Sequence, residues 1–274
     1  MVEVWKMIGV FDVDNGKGSI EKRVKLINTE STFSASYDSS SNDVNSGFGI
    51  NQWGEIKDTN GNVIYEGLDL MRLLNGYYIG VEGATCTYCN ENGQEECSQT
   101  CDTSDNTLAS QNMKPLSNNA KSMIENAVRD TYGVKRPSSS AIGTSSSILY
   151  LEEKGISQQY KGNSLCDNAN TNYCDDTITR TTSWIGLVGL VSVSDTSYSQ
   201  SWYGACLEDD PAIPSWSITP VANGDNSKVW SNYATFASNY NASNMYFVKP
   251  TVYLKSGVKV ISGNGNDKPY ILGM

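Results

Sequence analysis

The last quarter of the chain sets the strongest limit on its fold. Two stiff apolar segments, Trp216-Ser217-Ile218-Thr219-Pro220 and Phe247-Val248-Lys249-Pro250-Thr251-Val252-Tyr253-Leu254, bracket a stretch of small polar and aromatic residues. β-Branched and aromatic residues fit a pleated, half-buried surface, so the second bracket reads as a strand, and Val258–Ile261 as another. Between the brackets stand Asn223, Asn226, Trp230, Asn232, Tyr233, Phe236, Asn239, Tyr240, Asn241, Asn244 and Tyr246. Residues of this kind, held between apolar anchors, suit a displayed surface better than a core or a reaction centre. Pro250 cannot donate to a ladder, so its strand is expected at a sheet edge or at a bulge.

The rest of the chain carries shorter signals. Residues 4–13 and 20–27 read as two strands joined through Asp14-Asn15-Gly16-Lys17-Gly18, where Asn and Gly tolerate the positive φ of a tight hairpin. Residues 31–47 are rich in Ser, Asn and Asp and read as loop, and Asp58-Thr59-Asn60-Gly61-Asn62 reads as a turn. Leu68, Leu70, Met71, Leu73 and Leu74 predict a short helix stopped by Asn75-Gly76. After Ser117, a suitable N-cap, Ala120, Met123, Ile124, Ala127 and Val128 fall on one helical stripe that ends at Gly133. Ile148 to Lys154 predicts a third short helix. Trp184-Ile185-Gly186-Leu187-Val188-Gly189-Leu190-Val191 is nearly all apolar, as a strand buried on both faces is. No repeat or clean linker divides the 274 residues. The expectation is one α+β domain over 1–274, mostly antiparallel sheet with two or three short helices, carrying loop insertions around 84–115 and 156–182.

Composition restricts the partners. The net charge is −10, and apolar residues make up 38% against 18% charged. Nucleic-acid binding relies on Lys and Arg neutralising phosphate, so nucleic acid and anionic membrane surfaces are poor partners for this chain. The longest apolar run, Trp184 to Val193, falls short of the roughly 20 residues that span a bilayer. No secretory signal is evident, yet the chain opens directly in strand-like sequence. An export or anchor segment is therefore expected ahead of Met1 in the natural protein.

Seven cysteines and no histidine are present. Cys86, Cys89, Cys97 and Cys101 flank an acidic, polar loop centred on Gly93. The arrangement reads as a hairpin with nested disulfides, Cys86–Cys101 outside and Cys89–Cys97 inside. A four-cysteine zinc site is the alternative, although zinc ribbons usually separate their halves further, and spacing alone does not fix the connectivity. Cys166 and Cys174 form a second close pair, and Cys206 is left over. Disulfides at this density imply an oxidising compartment outside the cytoplasm. Asp12, Asp14 and Gly16 loosely echo a calcium loop whose glutamate is out of place. No cofactor is expected, with calcium left open at this loop as zinc is at the four cysteines.

Several motifs together resemble a known family. They are Trp5-Lys6-Met7-Ile8-Gly9-Val10-Phe11; Asn51-Gln52-Trp53-Gly54-Glu55; Tyr65-Glu66-Gly67-Leu68-Asp69-Leu70-Met71-Arg72-Leu73-Leu74-Asn75; Ala120-Lys121-Ser122-Met123-Ile124; Thr179-Arg180-Thr181-Thr182-Ser183-Trp184; Val248 to Ser256; and Gly263 to Tyr270. The chain resembles a largely uncharacterised family of exported surface proteins of Gram-positive gut bacteria, many with a prepilin-like N-terminal segment. The resemblance covers nearly the whole chain and implies an extracellular or cell-surface location. It also implies Cys86–Cys101 and Cys166–Cys174 as shared pairs. Relatives carry a longer segment, with a second Cys, after the position of Cys206; here Glu208-Asp209-Asp210-Pro211 runs straight towards Trp216, so that partner is missing.

The C-terminal motif is also similar to that of C-type-lectin-like domains, in which variable residues precede a closing Arg-Pro-Val strand. Here the strand reads Lys249-Pro250-Thr251. That likeness implies a candidate ligand-binding set of Trp230, Asn232, Tyr233, Asn239, Tyr240, Asn241, Asn244 and Tyr246, with Trp216 and Trp230 as scaffold. Tyr supplies contact area at low entropic cost, and Asn adaptable hydrogen bonds.

Without histidine, Ser-His-Asp and Cys-His arrangements are excluded, and no P-loop, G-x-S-x-G or G-x-G-x-x-G entering a helix is found. A glycosidase needs only two carboxylates, which Glu152, Glu153, Asp175, Asp176, Glu208, Asp209 and Asp210 could supply, but adjacent acids in polar loops are usually solvated. The expected role is a non-catalytic surface binding or adhesive domain whose partner is a host or microbial surface glycan or protein. The alternative is a pilin-like subunit that self-assembles through an N-terminal segment.

Overall fold

The computed structural model describes residues 5–28, 33–38, 53–65, 67–81, 115–133, 150, 153, 183–195, 200–201, 204–205, 215–221, 228–233, 236–265 and 267–274. All seven cysteines lie outside the described residues, as do nearly all of both expected insertions.

Strands β1 (Trp5–Asp14) and β2 (Ile20–Asn28) form the expected antiparallel hairpin, with an irregularity between Met7 and Gly9. Its turn closes through the Asn15 N–H to Ser19 O bond of 3.0 Å, and Asp14 Oδ1 accepts the Gly16 N–H. Gly16 sits at φ 75°, a conformation that side chains with a Cβ rarely adopt.

The polar stretch 31–47, expected as loop, contains β3 (Ser34–Ser36), flanked by fully buried Phe33 and Tyr37. Polarity of the neighbours hid this strand. β4 (Ile56–Lys57) and β5 (Val63–Tyr65) flank the 58–62 turn, in which Asp58 Oδ1 accepts from Asn60 and Asn62 amides at 2.8 Å. Helix α1 (Asp69–Leu73) forms as expected but does not stop at Asn75-Gly76; it widens into a π-turn over Leu74–Tyr78 and ends near Gly80 (φ 67°). Asn75 keeps the chain helical here. Its side chain donates to Val188 O (2.8 Å) and accepts from Val188 N (3.0 Å), tying the turn to a strand.

The stripe after Ser117 breaks in two. Ser117 caps α2 (Asn118–Met123) by accepting from Ala120 N at 3.2 Å. Ile124 is already extended and bridges Leu254, and β6 (Ala127–Asp130) follows. Tertiary pairing with the C-terminal strand overrides the helical period. Of the helix expected over Ile148–Lys154, only Tyr150 and Glu153 are described, both helical.

The apolar run from Trp184 is likewise two strands, β7 (Ser183–Gly186) and β8 (Val188–Gly189), in different sheets. β7 is half exposed, with Ile185 52% accessible, so the run is not buried on both faces throughout. Short strands β9 (Gln200–Ser201) and β10 (Gly204–Ala205) pair with each other. Then come β11 (Ser215–Pro220), β12 (Lys228–Tyr233), β13 (Phe236–Asn241), β14 (Met245–Phe247), β15 (Thr251–Tyr253), β16 (Lys259–Ser262) and β17 (Ile271–Gly273).

Two larger sheets organise these elements. One has the order β1-β2-β15-β8 and is antiparallel throughout; the other has the order β13-β12-β11-β14-β3, with β11 and β14 parallel. The architecture is therefore a sheet-rich, mostly antiparallel α+β fold with short helices. Pro250 lies neither at an edge nor in a bulge. It occupies the crossing from β14 in one sheet to β15 in the middle of the other, and its carbonyl accepts from Asn28 N at 2.9 Å. A residue that needs no ladder donor suits a junction where the chain changes sheets.

One cluster of buried side chains draws on both sheets and on α1, including Leu26, Tyr37, Trp53, Leu70, Val188, Trp216 and Val252. The four-stranded sheet is covered on its other face too. There Phe11, Val13, Ala127 and Tyr253 pack together, and Ile27 meets Val191.

Candidate functional site

Two regions compete for a functional role. The first is the hairpin that the sequence singles out. β12 and β13 pair from Lys228↔Asn241 to Tyr233↔Phe236, which leaves β13 as the outer edge of the five-stranded sheet. Trp230 is 4% accessible and packs with Val193 and Val221, so it belongs to the scaffold and not to a displayed face. Tyr240, Asn244 and Tyr246 are half-buried and Asn241 is exposed. The side chains of Asn232, Tyr233 and Asn239 lie outside the described ones.

These residues converge at one corner. Tyr240 and Tyr246 meet edge-on at 4.6 Å between ring centres, and Asn244 Nδ2 donates to Tyr246 Oη at 3.2 Å. Partial burial holds the Tyr246 hydroxyl above its ordinary pKa, opposed by the Asn244 bond. Tyr246 also packs edge-on to Trp216 (4.9 Å), which continues through Tyr37 (5.5 Å) and Trp53 (5.7 Å) to Trp184 (5.6 Å). The indole of Trp216 donates to Ala35 O at 2.8 Å. An aromatic corner braced this way presents half-exposed rings in fixed positions. Two tyrosine rings and the Asn244 amide, with exposed Asn241 next to them on β13, make the corner chemically suited to stacking and hydrogen bonding.

The second region is one the sequence reading passed over. On β2, Arg23, Lys25 and Ile27 share a face, and all three are buried. Charges at alternate positions read as a solvated outer face, but the chain leading into β6 and the chain after β8 cover them. Lys25 lies opposite Tyr253 on β15, and its Nζ meets the rings of Phe11 and Tyr253 at 5.7 and 5.6 Å. It bonds Asp195 Oδ2, in a pair with both side chains less than a tenth accessible. Burial lowers the Lys25 pKa, but the Asp195 carboxylate and the Tyr253 hydroxyl together outweigh it and leave the pKa raised.

Asp195 lies in a helical turn that includes residues 193–195, and its Oδ2 also accepts the Ser192 N–H at 2.9 Å. Glu153 anchors that turn. It accepts from Val193 N (2.7 Å), Ser194 N (3.3 Å), Thr219 Oγ1 (2.6 Å) and the Ser194 hydroxyl. Glu153 is 5% accessible, which corrects its reading as a solvated loop acid. Burial pushes its carboxyl above the ordinary range, against the Ser194 and Thr219 bonds and with Asp195 adding to the rise.

Arg129 completes the cluster. Its guanidinium donates to Thr251 Oγ1 (3.1 Å) and Thr251 O (3.0 Å), and lies 4.9 Å from the Tyr253 ring. It passes so close to Gly189 that a Cβ there would stand 2.7 Å from Nε. A cavity of about 50 Å³ opens among Lys25, Arg129, Glu153 and Asp195, large enough for water.

Comparisons with protein-family models, curated proteins and solved structures find no match. Among the described residues no group of three His, Cys, Asp or Glu side chains is placed to hold a metal ion. In the loop that echoes a calcium site, Asp14 accepts from the Gly16 amide and Asp12 pairs with Lys22 at 2.9 Å. No described helix is long and apolar enough to cross a membrane.

Proposed function

We propose that the chain is a non-catalytic, exported cell-surface binding or adhesive domain with a C-type-lectin-like arrangement at its C-terminal end. The observation that supports this reading most is the β12–β13 edge hairpin with its braced corner of Tyr240, Asn241, Asn244 and Tyr246. Rigid aromatics beside adaptable amides form a contact surface that loses little entropy on binding. The partner class is a surface glycan or glycoprotein. Nucleic acid is disfavoured by the net charge of −10.

A glycan and host-glycoprotein array tests this, run with and without calcium. The parent chain is expected to give discrete hits, and Asn241→Arg, which places a bulky charge on an exposed position, is expected to abolish them without altering the melting temperature. A blank array in both conditions overturns the binding reading.

The second reading, a subunit of a surface fibre, is favoured by the exposed apolar residues of the β16–β17 hairpin: Val260, Ile261 and Ile271, with Tyr270 and Met274 beside them. An edge hairpin with this many exposed apolar side chains offers a neighbouring subunit a surface to pack on. Blank arrays together with concentration-dependent filaments would support it.

A further inference from the structure

We propose that Lys25 and Asp195 condense into an intramolecular amide, a covalent cross-link between β2 and the turn after β8. Three observations carry it. The Nζ of Lys25 is in contact with the Asp195 carboxylate, and both groups are buried. The pair is enclosed by the Phe11 and Tyr253 rings on the lysine side and fixed by backbone on the aspartate side, where the Ser192 N–H holds Oδ2. The turn that presents Asp195 is itself held by a buried acid, Glu153, through three donors of the turn, while Thr219 on β11 supplies a fourth.

The chemistry balances within the pair. The ammonium transfers a proton to the carboxylate, and the resulting amine attacks Cγ. One C–N bond forms. The negative charge that develops on Oδ2 is met by the Ser192 N–H, an amide already aimed at it. A second proton from nitrogen reaches Oδ1, one C–O bond breaks, and water leaves. Nothing is oxidised or reduced, and no co-reactant is needed. The cavity bounded by Lys25, Glu153 and Asp195 has room for the released water.

Burial supplies the direction of the reaction. A desolvated ammonium and carboxylate are each costly to maintain, and fixed proximity replaces a collision between two solutes. The amide removes both charges yet keeps a carbonyl for the Ser192 N–H. Glu153 is a positioning residue here, since its contacts are to the turn and to Thr219.

Intact-mass measurement of the purified full chain, denatured and with its cysteines reduced, decides the matter. The expected mass is lower than that of the sequence by one water, and a protease digest yields one branched peptide containing both Lys25 and Asp195. Lys25→Met is expected at its full sequence mass. Asp195→Asn is expected to form the same link with loss of ammonia in place of water, and so to reach the mass of the linked parent. A parent chain at full mass overturns the proposal and leaves an ion pair. Loss of water that maps to any other pair of residues overturns it as well. The parent measurement stands alone, so misfolding of a variant cannot shield the proposal.

Discussion

Position 153 shows how far a single side chain can depart from its local sequence. Glu152-Glu153 invites a solvated reading, yet Glu153 is buried against Val193, Ser194 and Thr219. Its folded pKa is raised above the ordinary 4.5. A raised carboxyl stabilises the fold fully below its unfolded pKa, and that contribution is lost as pH rises through the folded value. This component of the parent's stability should therefore fall as pH climbs above about 4.5, and Glu153→Gln should lack it. Urea titrations at a series of pH values check this. The other groups on the cavity are Asp12, Lys25, Asp130, Tyr150, Asp195 and Arg129, with the Tyr253 ring, and all are common to both proteins. Residue-level reading fails here for a physical reason. The groups that desolvate Glu153 and Lys25 come from segments far away in the chain; Lys25 and Asp195 are 170 positions apart. Trp230 is the mirror case, an aromatic among turn residues that proves to be core. Tyr240, Asn241, Asn244 and Tyr246 gather at one corner because they share a single local hairpin and the strand after it, which sequence order alone predicts.

At the scale of elements, turn chemistry is legible and period is not. Gly16 and Gly61 sit at positive φ in the two turns expected from Asn-Gly and Asp-Asn signals. The segment from Ala120 to Val128 satisfies a helical stripe and, beyond Ile124, a strand alternation as well; the C-terminal strand decides between them. Ile124 is 4% accessible, bridges Leu254 and lies three residues ahead of the strand that carries Arg129. Ile124→Ala should cost about 2–5 kcal/mol, the range for a buried aliphatic truncation. Ser117→Ala removes only the cap of a six-residue helix and should cost about 1 kcal/mol. Urea unfolding of the two variants separates these contributions. Equal losses would mean that α2, and not the join after it, fixes the segment. The same competition explains why Asn75-Gly76 fails to stop α1. A side chain committed to Val188 outweighs a local terminator.

At the scale of the molecule, the sheet-rich α+β class follows from composition and turn density, whereas sheet order does not. Nothing local says that β15 separates β2 from β8. That placement makes β2 and β15 the enclosed centre of the four-stranded sheet, with side chains packed on both faces. Native-state hydrogen exchange should find the β2 and β15 amides slowest and the outer β13 and β16–β17 amides fastest. Slow exchange in β13 would show that its edge is occupied. The Lys25–Asp195 amide adds to this enclosure by closing a loop of about 170 residues, worth roughly 5 kcal/mol on chain-entropy arguments. The position of β15 also has a temporal side. During synthesis, β1 and β2 leave the ribosome early, but the strand that must lie between β2 and β8 is not made until residues 251–253. Until then the sheet lacks its middle, and the buried charges lack the Tyr253 wall. A nascent chain with that gap stays unfinished throughout the synthesis of everything between β2 and β15, with the facing edges of β2 and β8 unpaired until then.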